Sequence, residues 1–425
     1  MLTLKYIKEN TEEAIRLLAV KNFDAKDIFS KLITLDDERK KSRGRLDEIL
    51  AEINTVSKQI GILFKNGKTE EANAAKAKTT GLKETSKELG NSLGATEKQI
   101  SDLLVQVPNV PHPSVPAGKG EDDNEEIRSG GILPAMEKDA LPHWELAKKY
   151  DIIDFELGTK LTGGGFPVFK GKGAKLERAL INFFLDNANE AGFQEILPPL
   201  IVNEDSGFGT GQLPDKDDQM YHIQSDNFYL IPTAEVPVTN IYRDVILSAP
   251  DLPVKNTAYT PCFRREAGSY GKDVRGLNRV HQFDKVEIVV IQHPDKSYET
   301  LEEMVSYVES LVNKLELPYR IMKLCGGDLG FTSALTYDFE VYAAAQNKWL
   351  EVSSVSNFES YQANRLKLRY KEEGQKKTSL VHTLNGSALA LPRIVAALLE
   401  NNQTRDGIKI PEVLINYTGF GIIDK

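Results

Sequence analysis

Arg264 and Glu266 stand two apart in the stretch Thr260 to Glu287, TPCFRREAGSYGKDVRGLNRVHQFDKVE. On a strand such residues share a face, where the pair offers a cation to a phosphate and an acceptor to an adenine amino group. The Gly268 to Gly276 segment, rich in glycine and polar residues, reads as a loop. Beyond it, Phe283 and Glu287 lie four apart on a second strand and again share a face. They supply an aromatic ring to stack on a base and a carboxylate for a small polar ligand. The spacing is that of a nucleotide site on antiparallel strands; taken singly, an Arg-x-Glu pair is also what a charged surface hairpin shows.

Three further groupings carry suitable chemistry. Thr233-Ala234-Glu235 follows the strand-like Tyr229-Leu230-Ile231. If extended, it points a hydroxyl and a carboxylate the same way, toward an ammonium group. Glu351-Val352-Ser353-Ser354 presents the hard oxygens of Glu351 and Ser354, which suit a magnesium ion bridging phosphates. Asn385 to Arg393, NGSALALPR, is expected to open an apolar helix. Small residues there let a ligand approach the backbone, and Arg393 in the first turn can meet a terminal phosphate.

The elements that must position these groups are legible in outline. Gly173 to Gly192 has an amphipathic helix pattern, and the apolar run Phe193 to Val202 contains Pro198 and Pro199. Proline fits poorly in a central strand, so this run is expected at a sheet edge or a subunit boundary. The 425 residues allow two or three domains, and a net charge of -9 argues against general nucleic-acid binding. Two cysteines, Cys262 and Cys325, supply neither a disulfide framework nor a thiolate zinc site, so no structural zinc is expected. The chain opens without an apolar core of signal-peptide length and contains no run of ~18 apolar residues. A soluble, cytoplasmic protein without a membrane partner is expected.

The first hundred residues differ from the rest. Leu46, Ile49, Ile53, Val56, Ile60 and Leu63 form one heptad seam. Ala75, Thr79, Leu82, Ser86, Leu89, Leu93, Thr96, Ile100 and Leu103 form a second, and the short turn Lys65-Asn66-Gly67-Lys68 separates the two. Two long helices so joined pack antiparallel, as a hairpin arm of about 50 Å. Residues 39 to 98 carry thirteen Lys/Arg against eight Asp/Glu, a local charge of +5 in an acidic chain. Arg39, Lys40, Lys41, Arg43 and Arg45 crowd one end, as phosphate contacts would require; a solvated dimerisation arm is also compatible. Pro108, Pro111, Pro113 and Pro116 end the arm, and the acidic run Glu121 to Glu126 follows. The expected organisation is a helical domain over 1–107, a linker over 108–140 and a globular domain over 141–425.

In this order and spacing, the segments resemble the seryl-tRNA synthetases, class II aminoacyl-tRNA synthetases of the zinc-independent type. The resemblance rests on the helical arm, GTGQLP at Gly209 to Pro214, TAEVPVTN at Thr233 to Asn240 and FRREAGSYG at Phe263 to Gly271. It continues through HQFDKVE at His281 to Glu287, EVSS at Glu351 to Ser354 and TLNGSALALPR at Thr383 to Arg393. It implies an α+β fold, with the coiled-coil arm followed by a catalytic domain on a mainly antiparallel sheet flanked by helices. The implied reaction joins L-serine to ATP as seryl-adenylate, then transfers serine to tRNA(Ser), with tRNA(Sec) a further acceptor where present.

The resemblance also implies residue roles. Arg264 holds the α-phosphate and the serine carboxylate, Glu266 the adenine amino group and Phe283 the adenine face, while Val280 lines the nucleotide pocket and Arg265 is counted with the nucleotide ligands. Glu351, Val352, Ser353 and Ser354 bind nucleotide, with Glu351 and Ser354 on magnesium, and Arg393 meets the γ-phosphate. Thr233 and Glu235 take the serine ammonium, and Glu287, Asn385 and Ser387 its hydroxyl end. A homodimer is implied, with the Pro199 strand at its interface and the arm gripping tRNA by backbone shape.

Two positions depart from the common family pattern. Arg265 stands where many members have a smaller residue, and Pro392 where many have glycine. Two other readings remain open: a synthetase-like ligase charging a carrier protein, and a non-catalytic coiled-coil adaptor. The basic arm speaks against the first, and the filled site positions against the second.

Overall fold

In a computed structural model the chain divides into two compact units, residues 1–19 with 23–108 and residues 20–22 with 109–425. The structure describes residues 1–135, 139–216, 218–266 and 275–424.

The first unit is helical. Its long elements are α1 (Lys26–Lys65) and α2 (Thr69–Leu104), which pack against each other. At 1.5 Å per residue they run about 60 and 54 Å. Between them the chain reverses at Gly67, whose φ of 75° a side-chain-bearing residue would adopt only with strain. From residue 43 to residue 103, every residue that is not exposed belongs to one of the two seams named above, apart from Ala72. Ile49, Val56, Leu93 and Ile100 are buried within the hairpin, with Thr79 beside them. Each such aliphatic side chain contributes roughly 1.5–3 kcal/mol, so the seam holds the arm together.

The basic cluster at the base of the arm is only partly free. Asp36, 2 % exposed, takes Lys8, Arg39 and Lys40 at 2.5, 2.7 and 3.1 Å. Burial pushes its carboxyl up, but hydrogen bonds from these three cations outweigh that and hold it well below the usual range. Arg39 and Lys40 therefore serve the fold. Lys41, Arg43 and Arg45 point outward, the arginines facing Asp47 and Glu48 at 3.9 and 3.0 Å.

The second unit is built on an eight-stranded sheet. In chain order its strands are β1 (Glu125–Gly130), β2 (Gln194–Glu195), β3 (Val254–Phe263), β4 (Gln282–Gln292), β5 (Tyr319–Lys323), β6 (Leu335–Ala343), β7 (Lys348–Asn357) and β8 (His382–Ala390). Across the sheet the order is β1-β5-β6-β7-β8-β4-β3-β2, antiparallel except for the β2 and β3 pair. The long strands sit centrally and the two-residue β2, just before Pro198 and Pro199, lies at the edge, where missing N–H donors break no ladder.

The acidic run expected to be solvated connector leads into β1, which pairs with β5. Its side chains fall largely on the exposed side while its backbone closes the sheet edge; this is why composition disguised it. Helices α3 (Gly171–Glu190), α5 (Ser297–Lys314) and α7 (Leu391–Asn401) contribute to the main core, and the short helices α4 (Glu235–Asn240) and α6 (Ser360–Leu366) lie nearer the site described below. Period-two alternation divides β4 cleanly. Val286, Ile288 and Val290 enter the core, while Phe283, Lys285 and Glu287 face a cavity.

Candidate active site

The cavity, about 520 Å³, lies over β4, β7 and β8. Its floor is set by register. Glu287 pairs with Ser387 and Val289 with Asn385 across β4 and β8, so Glu287, Asn385 and Ser387 come out on one face. Asn385 to Ala390 is thus strand; the apolar helix begins only at Leu391, since the Thr383 to Ala390 backbone completes the sheet. Arg393 nonetheless falls in the first turn of α7, where Pro392 is tolerated because an N–H there lacks a helical acceptor.

At one end the cavity is acidic and buried. Glu287, 2 % exposed, pairs with Lys285 Nζ at 2.5 Å and accepts from Ser387 Oγ at 3.5 Å. Lys285 Nζ also donates to Thr233 Oγ1 at 2.8 Å. Thr233 and Glu235 do not lie on extended backbone. The chain turns there, Glu235 N donating to Thr233 Oγ1 at 3.2 Å, and Glu235 begins α4. Both side chains still line the cavity. Glu235 Oε1 accepts from Gln362 Nε2, on α6, at 2.6 Å. Burial and the nearby charge of Glu287 push its carboxyl up to about 7 against opposing help from Gln362 and Lys285. Asn385 Nδ2 is buried with no hydrogen-bond partner among the described residues. Two buried carboxylates, one paired with Lys285 and the other held by Gln362, with the Asn385 amide beside them, form a pocket fitted to a small cationic ligand that also carries polar groups.

The other end is cationic and aromatic. β3 stops at Phe263, so Arg264 and Glu266 sit just beyond the strand, not on it. Arg264 N still bonds His281 O at 2.9 Å, but Arg265 N turns away to Gln219 O at 2.8 Å and Glu266 takes a φ of 49°. The Arg264 guanidinium lies 5.3 Å from the Phe283 ring centroid, with Nε donating to Pro232 O at 3.4 Å. Glu266 meets Arg279 at 3.2 Å, and Val280 completes the wall. Arg265 is the predicted ligand that the cavity lacks: its half-exposed side chain pairs with Asp218 at 3.1 Å. Most of the predicted Gly268 to Gly276 loop lies outside the described residues.

Glu351 and Ser354 are three apart, which in a regular strand puts them on opposite faces. A bulge around Val352, opposite Phe339 and Glu340, resets the alternation. Ser354 Oγ consequently reaches Glu351 Oε1 at 3.4 Å, while Ser353 bonds Ser387 O at 2.6 Å and Val352 packs into the core. Asp338, on the neighbouring β6, keeps a buried Oδ1 without a partner among the described residues. Burial and the charge of Glu351 push its carboxyl well up. Among the described residues no three His, Cys, Asp or Glu side chains converge as a metal cage. A cation at Glu351 and Ser354 would complete its shell with ligand oxygens, which is the habit of magnesium. Arg393 stands beside them, Nη1 donating to Glu351 O at 2.7 Å and Nε to Asn278 O at 2.9 Å.

Sequence reasoning missed Lys285, Arg279, Asn278 and Gln362. Lys285 had a signal, since the alternation that pairs Phe283 with Glu287 puts the residue between them on the same face. Gln362 had none, because only the fold brings α6 to Glu235.

Comparison with known proteins gives one consistent answer. The family model for the seryl-tRNA synthetase N-terminal domain matches residues 1–111, and that for the tRNA synthetase class II core domain (G, H, P, S and T) matches residues 221–402. A serine–tRNA ligase of Salinibacter ruber is 52% identical over 424 residues, covering 100% of this chain and 99% of its own. The crystal structure of seryl-tRNA synthetase from Pyrococcus horikoshii complexed with ATP superposes with a TM-score of 0.92 at 35% identity, covering 100% and 99% of the two chains. The cytoplasmic serine–tRNA ligase of Naegleria fowleri in complex with AMP gives 0.86 at 27% identity, with the same coverage.

Proposed function

The chain belongs to the seryl-tRNA synthetases, and on that premise we propose that its cavity condenses L-serine with ATP to seryl-adenylate and pyrophosphate. The seryl group then passes to the 3′ end of tRNA(Ser), and of tRNA(Sec) where that acceptor exists. The observation that carries this reading is the polarity of one cavity: Glu235, Glu287 and Lys285 at one end, Arg264, Glu266 and Phe283 at the other. Serine is an ammonium, a hydroxyl and a carboxylate on two carbons. Glu235 and Thr233 take the ammonium, and Glu287 with Asn385 and Ser387 takes the hydroxyl. The serine carboxylate is then directed toward Arg264, next to the adenine site of Phe283, Glu266 and Val280.

Activation forms a bond from a serine carboxylate oxygen to the α-phosphorus and breaks the bond to the pyrophosphate oxygen. Two anions meet, so the residues must cancel charge and fix the line of attack. Arg264 does so at the α-phosphate and Arg393 at the γ-phosphate, with no covalent protein intermediate. Glu351 and Ser354, backed by Asp338, would hold the magnesium that accompanies ATP, which neutralises phosphate charge when bound. Val352 and Ser353 support the nucleotide through the shape of the bulge.

The same reading assigns residues 1–107 to tRNA binding and 141–425 to catalysis, with 108–140 joining them and lending β1 to the catalytic sheet. It makes the enzyme a cytoplasmic homodimer; Leu197, 89% exposed beside edge strand β2, suits a subunit contact. Among the described residues no helix is long and apolar enough to cross a membrane. Serine-dependent pyrophosphate exchange across a panel of amino acids, followed by charging of purified tRNAs, tests the proposal. Exchange with serine alone and charging of tRNA(Ser) are expected; exchange with another amino acid would overturn it.

Glu235 adds a pH signature. Its raised value means that the empty fold favours the protonated carboxyl, so this group's stabilising effect is present below its ordinary value of 4.5 and is lost as pH rises through about 7. Serine's ammonium favours the ionised form instead. Binding near pH 7 is therefore expected to release protons, read as a dependence of the calorimetric enthalpy on buffer ionisation. The KM for serine should rise below pH 7, and Glu235→Gln should abolish the proton release.

A further inference from the structure

Arg393 and Glu400 lie seven residues apart on α7, two turns along one side of the helix. Arg393 grips the segment after β3 through Asn278 O; Glu400 grips the same segment through an intermediary, His143. Both His143 and Glu400 are fully buried. The Glu400 carboxylate receives His143 N at 3.0 Å and Nδ1 at 2.8 Å, Ala345 N at 3.1 Å, and Gln346 N and Nε2 at 3.2 and 2.8 Å. On its far side, His143 Nε2 accepts the backbone N–H of Leu277 at 2.8 Å. An amide N–H can only donate, so Nε2 carries no proton and Nδ1 carries the one given to Glu400.

The next residue is tied as well, Asn278 Nδ2 donating to Gln346 Oε1 at 2.7 Å. Gly276 sits at a φ of 69°, and a Cβ there would come within 2.1 Å of His143 Nε2. The chain is shaped so that the imidazole can touch the backbone. Arg275 adds an outer fastening, 4.8 Å over the Trp144 ring.

From this geometry we infer that His143, with Glu400 and Gln346, is a positioning group for adenylate formation: it fixes Leu277 and Asn278 so that Asn278 O aims the Arg393 guanidinium into the nucleotide end of the cavity. His143 does not line the cavity and touches no substrate group. Its influence runs through the Asn278 carbonyl that orients Arg393. The inference rests on the role given to Arg393 above.

The test is a double-mutant cycle on serine-dependent pyrophosphate exchange. His143→Phe keeps an aromatic ring, somewhat larger than imidazole, and removes both of the ring's hydrogen bonds. It is expected to lower kcat or raise the KM for ATP by tenfold or more, with the KM for serine unchanged within twofold. Gln346→Ala, at a half-buried position, should give the same pattern at three- to tenfold, and it decides the matter if the first variant fails to fold. In an Arg393→Ala background either change should cost less than twofold. Exchange unaffected by His143→Phe and Gln346→Ala, or a full multiplicative loss on top of Arg393→Ala, overturns the positioning role. If Arg393→Ala itself leaves exchange intact, the fault lies in the assignment of Arg393 instead.

Discussion

Arg264→Ala is expected to reduce serine-dependent pyrophosphate exchange by about 10²- to 10³-fold, the range for removing one group that stabilises transition-state charge, while Arg265→Ala stays within about threefold of the parent. The two arginines are neighbours in sequence and opposites in placement. Arg264 is held over Phe283 and anchored by Pro232 O, with no carboxylate partner among the described residues. Its guanidinium is thus free to face two anions at once. Arg265 is turned outward by its own backbone bond to Gln219 and spends its charge on Asp218 in solvent. An exposed pair of that kind contributes about 0–1 kcal/mol. The loss at Arg264 should fall mainly on kcat, because charge builds as the carboxylate closes on the α-phosphorus. Comparable losses in the two variants would contradict the assignment.

That contrast also marks what the sequence could convey. Periodicity identified the arm, down to nearly every buried position, because a two-helix hairpin has only one seam to bury. Alternation likewise located Phe283 and Glu287 on one face of β4. What escaped were places where the backbone breaks its own period. The bulge at Val352 brings Glu351 and Ser354 together, the turn into α4 replaces an extended Thr233 to Glu235, and the chain leaves the sheet at Arg264. In each case side-chain types were right for the chemistry while the local conformation depended on distant partners: Phe339 and Glu340, Lys285, and Gln219. Asn385 to Ala390 shows the converse error. Small residues resembled the approach to a helix, yet pairing with β4 and β7 made them strand.

Removal of residues 39–98, with Glu38 joined to Gln99 by a short glycine linker, should leave pyrophosphate exchange within about twofold and lower charging of tRNA(Ser) by at least 100-fold. The cut leaves the base of the first unit its own core, Phe29, Leu32, Ile100 and Leu104, and leaves Asp36 its contact with Lys8. None of the removed residues lines the cavity. What is lost is the exposed, net basic surface of the hairpin. With Arg39 and Lys40 committed to Asp36, phosphate contacts fall to the outward cations, among them Lys41, Lys58, Lys83 and Lys87. Each phosphate neutralised releases counterions, so the KM for tRNA of the parent enzyme should climb steeply with salt while that for serine stays flat. Lys83→Glu with Lys87→Glu, on one exposed stretch of α2, should raise the tRNA KM and reduce that salt slope without touching exchange. Charging that survives the deletion at the parent rate would detach the arm from tRNA and leave the dimerisation reading of the hairpin in its place.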